Sequence, residues 1–259
     1  MSNPNDFYVG YLPAAPDRLG RWLRRVIPAL LAFVAILSVV LMTRQDRFGP
    51  GVFEFSVERD FTGVVLELPY PTLLALQPAG SATAADQDPL LLVAPGKHGP
   101  ADLVQGLNGR PVRIRGSLVH RDGRAMVEVH DVLVLPPEQA GSLVVPVEGG
   151  IDRGEFTLTG EVVDSKCYLG VMKPGHTKPH RACAVRCISG GVPPLLLVVE
   201  ADGSARQLVL ASTSGAMIHH EVLPFVSERV EISGTVRAYG TLEVLHADPA
   251  TYRRVSSDD

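Results

Sequence analysis

Three patterns of apolar residues divide the chain. From Val26 to Met42 the sequence VIPALLAFVAILSVVLM runs for 17 residues without a charge or a polar face. That is long enough, at the lower limit, for a helix crossing a bilayer, and the lack of a polar face argues against an amphipathic or buried helix. After Gly51 the period drops to two. Val112, Ile114 and Leu118 alternate with charged or polar residues, as do Val230, Ile232 and Val236, which predicts half-buried strands. Between these lie two short unbroken runs, Pro89-Leu-Leu-Leu-Val93 and Pro194-Leu-Leu-Leu-Val198.

The β patterns repeat. Phe61-Thr-Gly63-Val-Val-Leu-Glu67 returns as Leu158-Thr-Gly160-Glu-Val-Val-Asp164. The Pro-Leu-Leu-Leu-Val run returns 105 residues later, and Val112-Arg-Ile-Arg-Gly116 returns as Val230-Glu-Ile-Ser-Gly234. Three collinear matches predict a duplicated domain, at a spacing too long for solenoid units. Turn signals at Asp122-Gly123, Asp202-Gly203 and Tyr239-Gly240 mark hairpins, and a short helix is expected around Ser214–Phe225, limited by Pro224.

Strand, loop, strand, hairpin, strand, short helix, strand, hairpin, strand resembles the order of an OB-fold, a five-stranded Greek-key barrel. The expected fold is therefore mainly β: two tandem OB-like five-stranded barrels preceded by one N-terminal transmembrane helix. The expected divisions are a leader 1–25, a membrane helix 26–43, a first barrel 52–136, a linker 137–153 and a second barrel 154–253. Pro136-Pro137 opens the linker.

Charge sets the compartment. Arg18, Arg21, Arg24 and Arg25 precede the apolar run, whereas Arg44, Asp46 and Arg47 nearly cancel after it. The positive-inside bias then leaves the short leader (Phe7-Tyr-Val-Gly-Tyr11 within it) cytoplasmic. The barrels are expected outside, in a bacterial periplasm under a single-pass inner-membrane anchor. A cleaved signal peptide is the alternative. Against it stand the 25-residue leader and the end of the run, Val-Val-Leu-Met-Thr-Arg, which lacks small residues at cleavage spacing.

The copies differ in one loop. Between the first-strand glycine and the Pro-Leu-Leu-Leu-Val run lie 26 positions in copy one and 34 in copy two. The extra length holds all three cysteines of the chain, Cys167, Cys183 and Cys187, together with Met172, His176 and His180. In an OB-fold the connection between strands one and two lines the ligand-binding face, so copy two reads as the working domain. Copy one, with Ala79–Asp88 in that place, reads as a spacer or docking partner.

Cys183 and Cys187, four apart, share one face of a helix, which is expected from Arg181 to Gly190-Gly191. An extended register would add His180 and His176, although Pro179 limits it. Thiolates, imidazoles and a thioether suit copper and tolerate zinc. Cys-x-x-x-Cys with a His resembles the fragment used by copper-delivery proteins and dinuclear copper electron-transfer domains, whose distal His and Met have no counterpart here. Haem on His176 or His180 is a further possibility, without the Cys-x-x-Cys-His attachment motif. The plainer reading is a disulfide from Cys167 to Cys183 or Cys187 with one thiol left over, in an oxidising space. Thiol catalysis on that remaining cysteine is a third.

The same loop is cationic. From Ser165 to Val199 there are five bases (Lys166, Lys173, Lys178, Arg181, Arg186) and no acid, in a chain of 24 Lys and Arg against 28 Asp and Glu. The bases read either as a solvated face or as a surface for an acidic partner or anionic head groups. Nucleic acid is not expected as a partner, with so few aromatic residues for stacking. His219-His220-Glu221, His98, His120 and His130 read as surface residues, and Asp164 as a weak orienting acid. No serine-hydrolase elbow, phosphate loop or His-Glu-x-x-His motif occurs. The expectation is a non-catalytic accessory subunit or assembly factor of a membrane-bound redox complex, acting through the Cys167–Cys187 loop. The alternative is a copper-, haem- or thiol-handling protein.

Overall fold

The computed structural model describes residues 16–45, 51–75, 89–136, 138, 150–200 and 202–255. It divides into two compact units, residues 1–49 and 50–259. Most of the expected leader, most of the linker and the stretch Ala79–Asp88 lie outside the described residues.

In the first unit, helix α1 (Asp17–Gln45) carries the apolar run. Its segment Asp17–Thr43 is long and apolar enough to cross a membrane, and none of that segment is buried within the protein. Leu30, Leu31, Phe33 and Ile36 are exposed, as they would be in a membrane span or in a signal sequence near the N-terminus.

The second unit holds both β copies. Strands β1 (Val52–Phe53), β2 (Arg59–Glu67), β3 (Pro71–Ala75) and β4 (Pro89–Val93) come first, followed by the short helix α2 (Ala101–Val104). Then come β5 (Pro111–Arg121) and β6 (Arg124–Val134). β2 pairs with β3 and β5, β3 with β4, β4 runs parallel to β6, and β6 returns to β5, closing a five-stranded barrel.

The second copy repeats this ring. β7 (Ile151–Asp164), helix α3 (Arg181–Ser189), β8 (Pro194–Val199), β9 (Ala205–Ala211), β10 (Arg229–Tyr239) and β11 (Leu242–His246) precede a short edge strand, β12 (Arg253–Arg254). Here β9 and β11 form the parallel pair, and β10 joins β7. This is the expected OB-like topology, twice. The matching first-strand glycines have one reason. A Cβ on Gly63 would stand 2.1 Å from the Leu74 carbonyl oxygen, and one on Gly160 would stand 2.6 Å from that of Leu197. Each barrel closes too tightly there for a side chain.

The expected helix over Ser214–Phe225 is reduced to a single 3₁₀ turn, Leu223–Phe225. Ile218, Val222 and Val226 still reach the interior of the second barrel, carried by an irregular path rather than a helix face.

The unbroken Leu-Leu-Leu runs are explained by burial on both faces. Leu92 points into the first barrel and Leu196 into the second. Their neighbours Leu91, Val93, Leu195 and Leu197 join one further apolar cluster lying between the barrels, with Tyr70, Met126, Val163, Val209 and Val244. Strands covered on two sides read as continuous apolar runs rather than alternation. The copies are therefore docked to each other through a shared core. Tyr70 Oη seals the joint, donating to the Leu210 carbonyl at 3.1 Å and accepting the Ile218 N–H at 3.2 Å.

Candidate thiolate centre

The cysteine loop connects β7 to β8, the position that the OB-like order predicts. β7 ends at Asp164, and the chain then makes a wide helical turn over Cys167–Val171, a 3₁₀ turn over Lys178–His180, and α3. Asp164 organises the start. It is wholly buried; its Oδ1 accepts the Cys167 N–H at 2.8 Å, and its Oδ2 lies 3.0 Å from His180 Nε2. Pro179 confines the residues before α3 to the tighter turn, so His180 stands at the N-cap of the helix.

One turn of α3 places Cys183 and Cys187 on the same side, facing Cys167. The Cys167 Sγ lies 3.9 Å from Cys183 Sγ and 4.0 Å from Cys187 Sγ. All three thiols are free, and both separations far exceed the ~2.05 Å of a disulfide. Cys167 and Cys187 are buried and Cys183 is half-buried. A donor nitrogen of His180 falls within 4.8 Å of the Cys167 and Cys183 sulfurs, and an Asp164 oxygen falls equally close to Cys167 and Cys187.

The sulfurs do not hold their protons equally. Contact with the Cys187 sulfur, then burial, then the nearby Asp164 carboxylate push the Cys167 thiol up. The same contact lowers Cys187, helped by Lys97.

A residue that sequence reading placed nowhere near this loop completes the centre. Lys97, on the first barrel, holds its Nζ 2.6 Å from Cys183 Sγ and 3.8 Å from Cys187 Sγ. That contact raises the pKa of Lys97 above the ordinary lysine value. The only local signal was the Pro95-Gly96-Lys97-His98-Gly99 turn, which looks like any exposed hairpin.

The remaining expected site residues are dispersed. Met172 is exposed at the end of the first turn, and His176 is not among the side chains gathered around the sulfurs. His176 packs against the Tyr168 ring and places Nδ1 3.6 Å from Glu161. With Lys178 it lines a separate groove of about 570 Å³ that also includes Glu161, Ser227 and Arg229. Of the five bases, Lys173, Lys178 and Arg186 are exposed. Lys166 is buried, donating to the carbonyls of Ala94 and Gly96 (2.8 Å each) and to Glu128. Arg181 is paired with Glu228 at 2.5 Å. Two members of the expected cationic surface are thus held by internal acids, because the acid-free stretch folds against acids from elsewhere in the chain.

No family model and no curated protein matches the chain. Among solved structures it is similar to the single-stranded DNA binding protein from Thermus aquaticus, in wild-type form and as a deletion mutant. Identities are 11% and 12%, with 81% of this chain and 96% and 97% of those chains covered, at TM-scores of 0.22 and 0.21. Overlap that low carries no argument about fold or ligand; the strand pairing alone establishes the barrels.

Proposed function

We propose that this chain is a membrane-anchored, exoplasmic holder of a soft metal ion, copper foremost, that serves a membrane-bound redox complex as an accessory or assembly subunit. The observation that carries the reading is the convergence of three free thiols with sulfur separations of 3.9 and 4.0 Å. Thiolates bound to one ion at about 2.3 Å stand about 3.8 Å apart in a tetrahedral arrangement and about 4.0 Å apart in a planar trigonal one. His180 offers a fourth donor, and its contact with Asp164 is the carboxylate–histidine pairing that orients metal-bound imidazoles. Thiolate with imidazole favours copper(I) or zinc over harder ions. Haem suits the site less well, since the His180 ring is 4% exposed and has no open face for a porphyrin.

The apolar helix supplies the anchor, and the arginines before it supply the orientation, with N-terminus cytoplasmic and barrels periplasmic. The loop that carries the centre also bears the exposed bases Lys173, Lys178 and Arg186, which suits an acidic partner subunit.

The test uses the full chain in mild detergent, reduced and offered copper(I) or zinc. One retained ion per chain after desalting is expected, lost in Cys183→Ser and in Cys187→Ser. A protein that retains no ion and forms one disulfide with a lone thiol would return the loop to a covalent staple.

A further inference from the structure

The second barrel does not make the centre alone. Lys97 sits at the tip of a tight hairpin after β4, where Ala94 and His98 form an isolated bridge. Backbone contacts fix that hairpin against the end of α3. The Gly99 N–H donates to the Gly190 carbonyl at 2.8 Å, and a Cβ on Gly190 would stand 2.0 Å from the Lys97 carbonyl oxygen. Of the bases nearer in sequence, Lys166 turns into the first barrel and Arg181 turns to Glu228, while Lys173, Lys178 and Arg186 are exposed. Lys97 is the cation in contact with the sulfurs, at 2.6 Å from Cys183 Sγ and 3.8 Å from Cys187 Sγ.

We propose that Lys97 is the counter-ion of the thiolate centre, contributed by the neighbouring barrel, and that its charge fits the centre to a monovalent soft cation, copper(I). This rests on the metal-binding reading above. Three thiolates around a monovalent ion leave a net charge of 2−; around a divalent ion they leave 1−. Two of the sulfurs are buried, and the Asp164 carboxylate beside them adds negative charge. Net negative charge out of water is costly unless a cation stands next to it. An ion bonded to Cys183 Sγ at about 2.3 Å would stay within about 5 Å of an ammonium at its present position. The ammonium faces the whole complex, whose net charge is negative. It therefore stabilises the monovalent complex, with its larger net charge, more than the divalent one.

The test compares full-length wild type, Lys97→Met and Lys97→Arg in detergent, by competition against chromophoric chelators of copper(I) and of zinc. Thermal unfolding of the ion-free variants is followed alongside, so that loss of folding is separated from loss of binding. Lys97→Met is expected to weaken copper(I) binding about tenfold while changing zinc binding by less than about threefold, and added salt should narrow that gap. Lys97→Arg, which keeps the charge, should recover most of the loss. Equal copper(I) affinity in wild type and Lys97→Met, or equal weakening for both ions, overturns the counter-ion role alone. A wild type that holds neither ion overturns the metal reading and this inference together.

Discussion

Lys166 of the second barrel and Glu128 of the first meet across the barrel joint, with Nζ 2.5 Å from Oε2 and both side chains withdrawn from solvent. Lys166 also binds the carbonyls of Ala94 and Gly96, on either side of the hairpin whose Lys97 reaches back to Cys183. The barrels thus exchange lysines. Lys166→Met would leave Glu128 buried with, among the described residues, His130 beside it. Losing one partner of a buried pair costs about 3 kcal/mol or more. The expected outcome is a lower denaturant midpoint and faster alkylation of Cys183 as the hairpin loosens. An unchanged midpoint would mean that the joint does not depend on this pair.

Asp164→Asn tests the support beneath the centre. The carboxylate serves both the Cys167 amide and the His180 ring, so the amide disturbs the turn and the imidazole together. Loss of such a supporting contact lowers metal affinity by about 10- to 100-fold. The stability cost should be about 1–3 kcal/mol. Metal titration and chemical unfolding of the same sample read both. Retention of full affinity would remove His180 from the ligand set.

Gly190→Val probes the docking of the barrels without touching a thiol. Its side chain would collide with the Lys97 carbonyl, a backbone atom that cannot rotate away. The hairpin has to lift, so Cys183 should be alkylated several-fold faster and copper(I) held more weakly. Unaltered Cys183 reactivity would show that the hairpin does not cover it.

The pKa of Cys187 is lowered and that of Cys167 raised, the first cause in each case being their mutual contact. As the pH of the reduced, ion-free protein rises, one thiolate should appear below the ordinary range near 8.5, and another well above it. Ultraviolet absorbance of the thiolates follows this directly. Cys167→Ala should move the early step upward, since it removes the sulfur that most favours the Cys187 thiolate. Three thiols ionising together near the ordinary value would contradict the paired arrangement.

The anchor can be tested by alkaline extraction of membranes. The full chain should remain with the lipid and retain its first 45 residues by mass, while a chain lacking them should be released. A mature protein beginning after Met42 would identify the helix as a signal sequence instead.

Much of this was legible from local pattern. The period-two segments, the paired Gly63 and Gly160, and the repeated Leu-Leu-Leu runs encode strands and a duplication, because barrel closure and burial act on neighbouring residues. Cys183 and Cys187 could be placed on one helix face by spacing alone. The proposed alignment of His176 failed at the turn that Pro179 imposes.

What the sequence determined by itself was an apolar helix, two β copies of one order, and a sulfur-rich loop on the second. Only the tertiary structure decided that Lys97, 86 residues from Cys183, belongs to that loop, and that Lys166 leaves it for Glu128. The reason is physical. Hydrogen bonding and side-chain alternation leave a periodic trace in the chain, whereas the pairing of a charge across a domain joint depends on how two finished surfaces meet and leaves none.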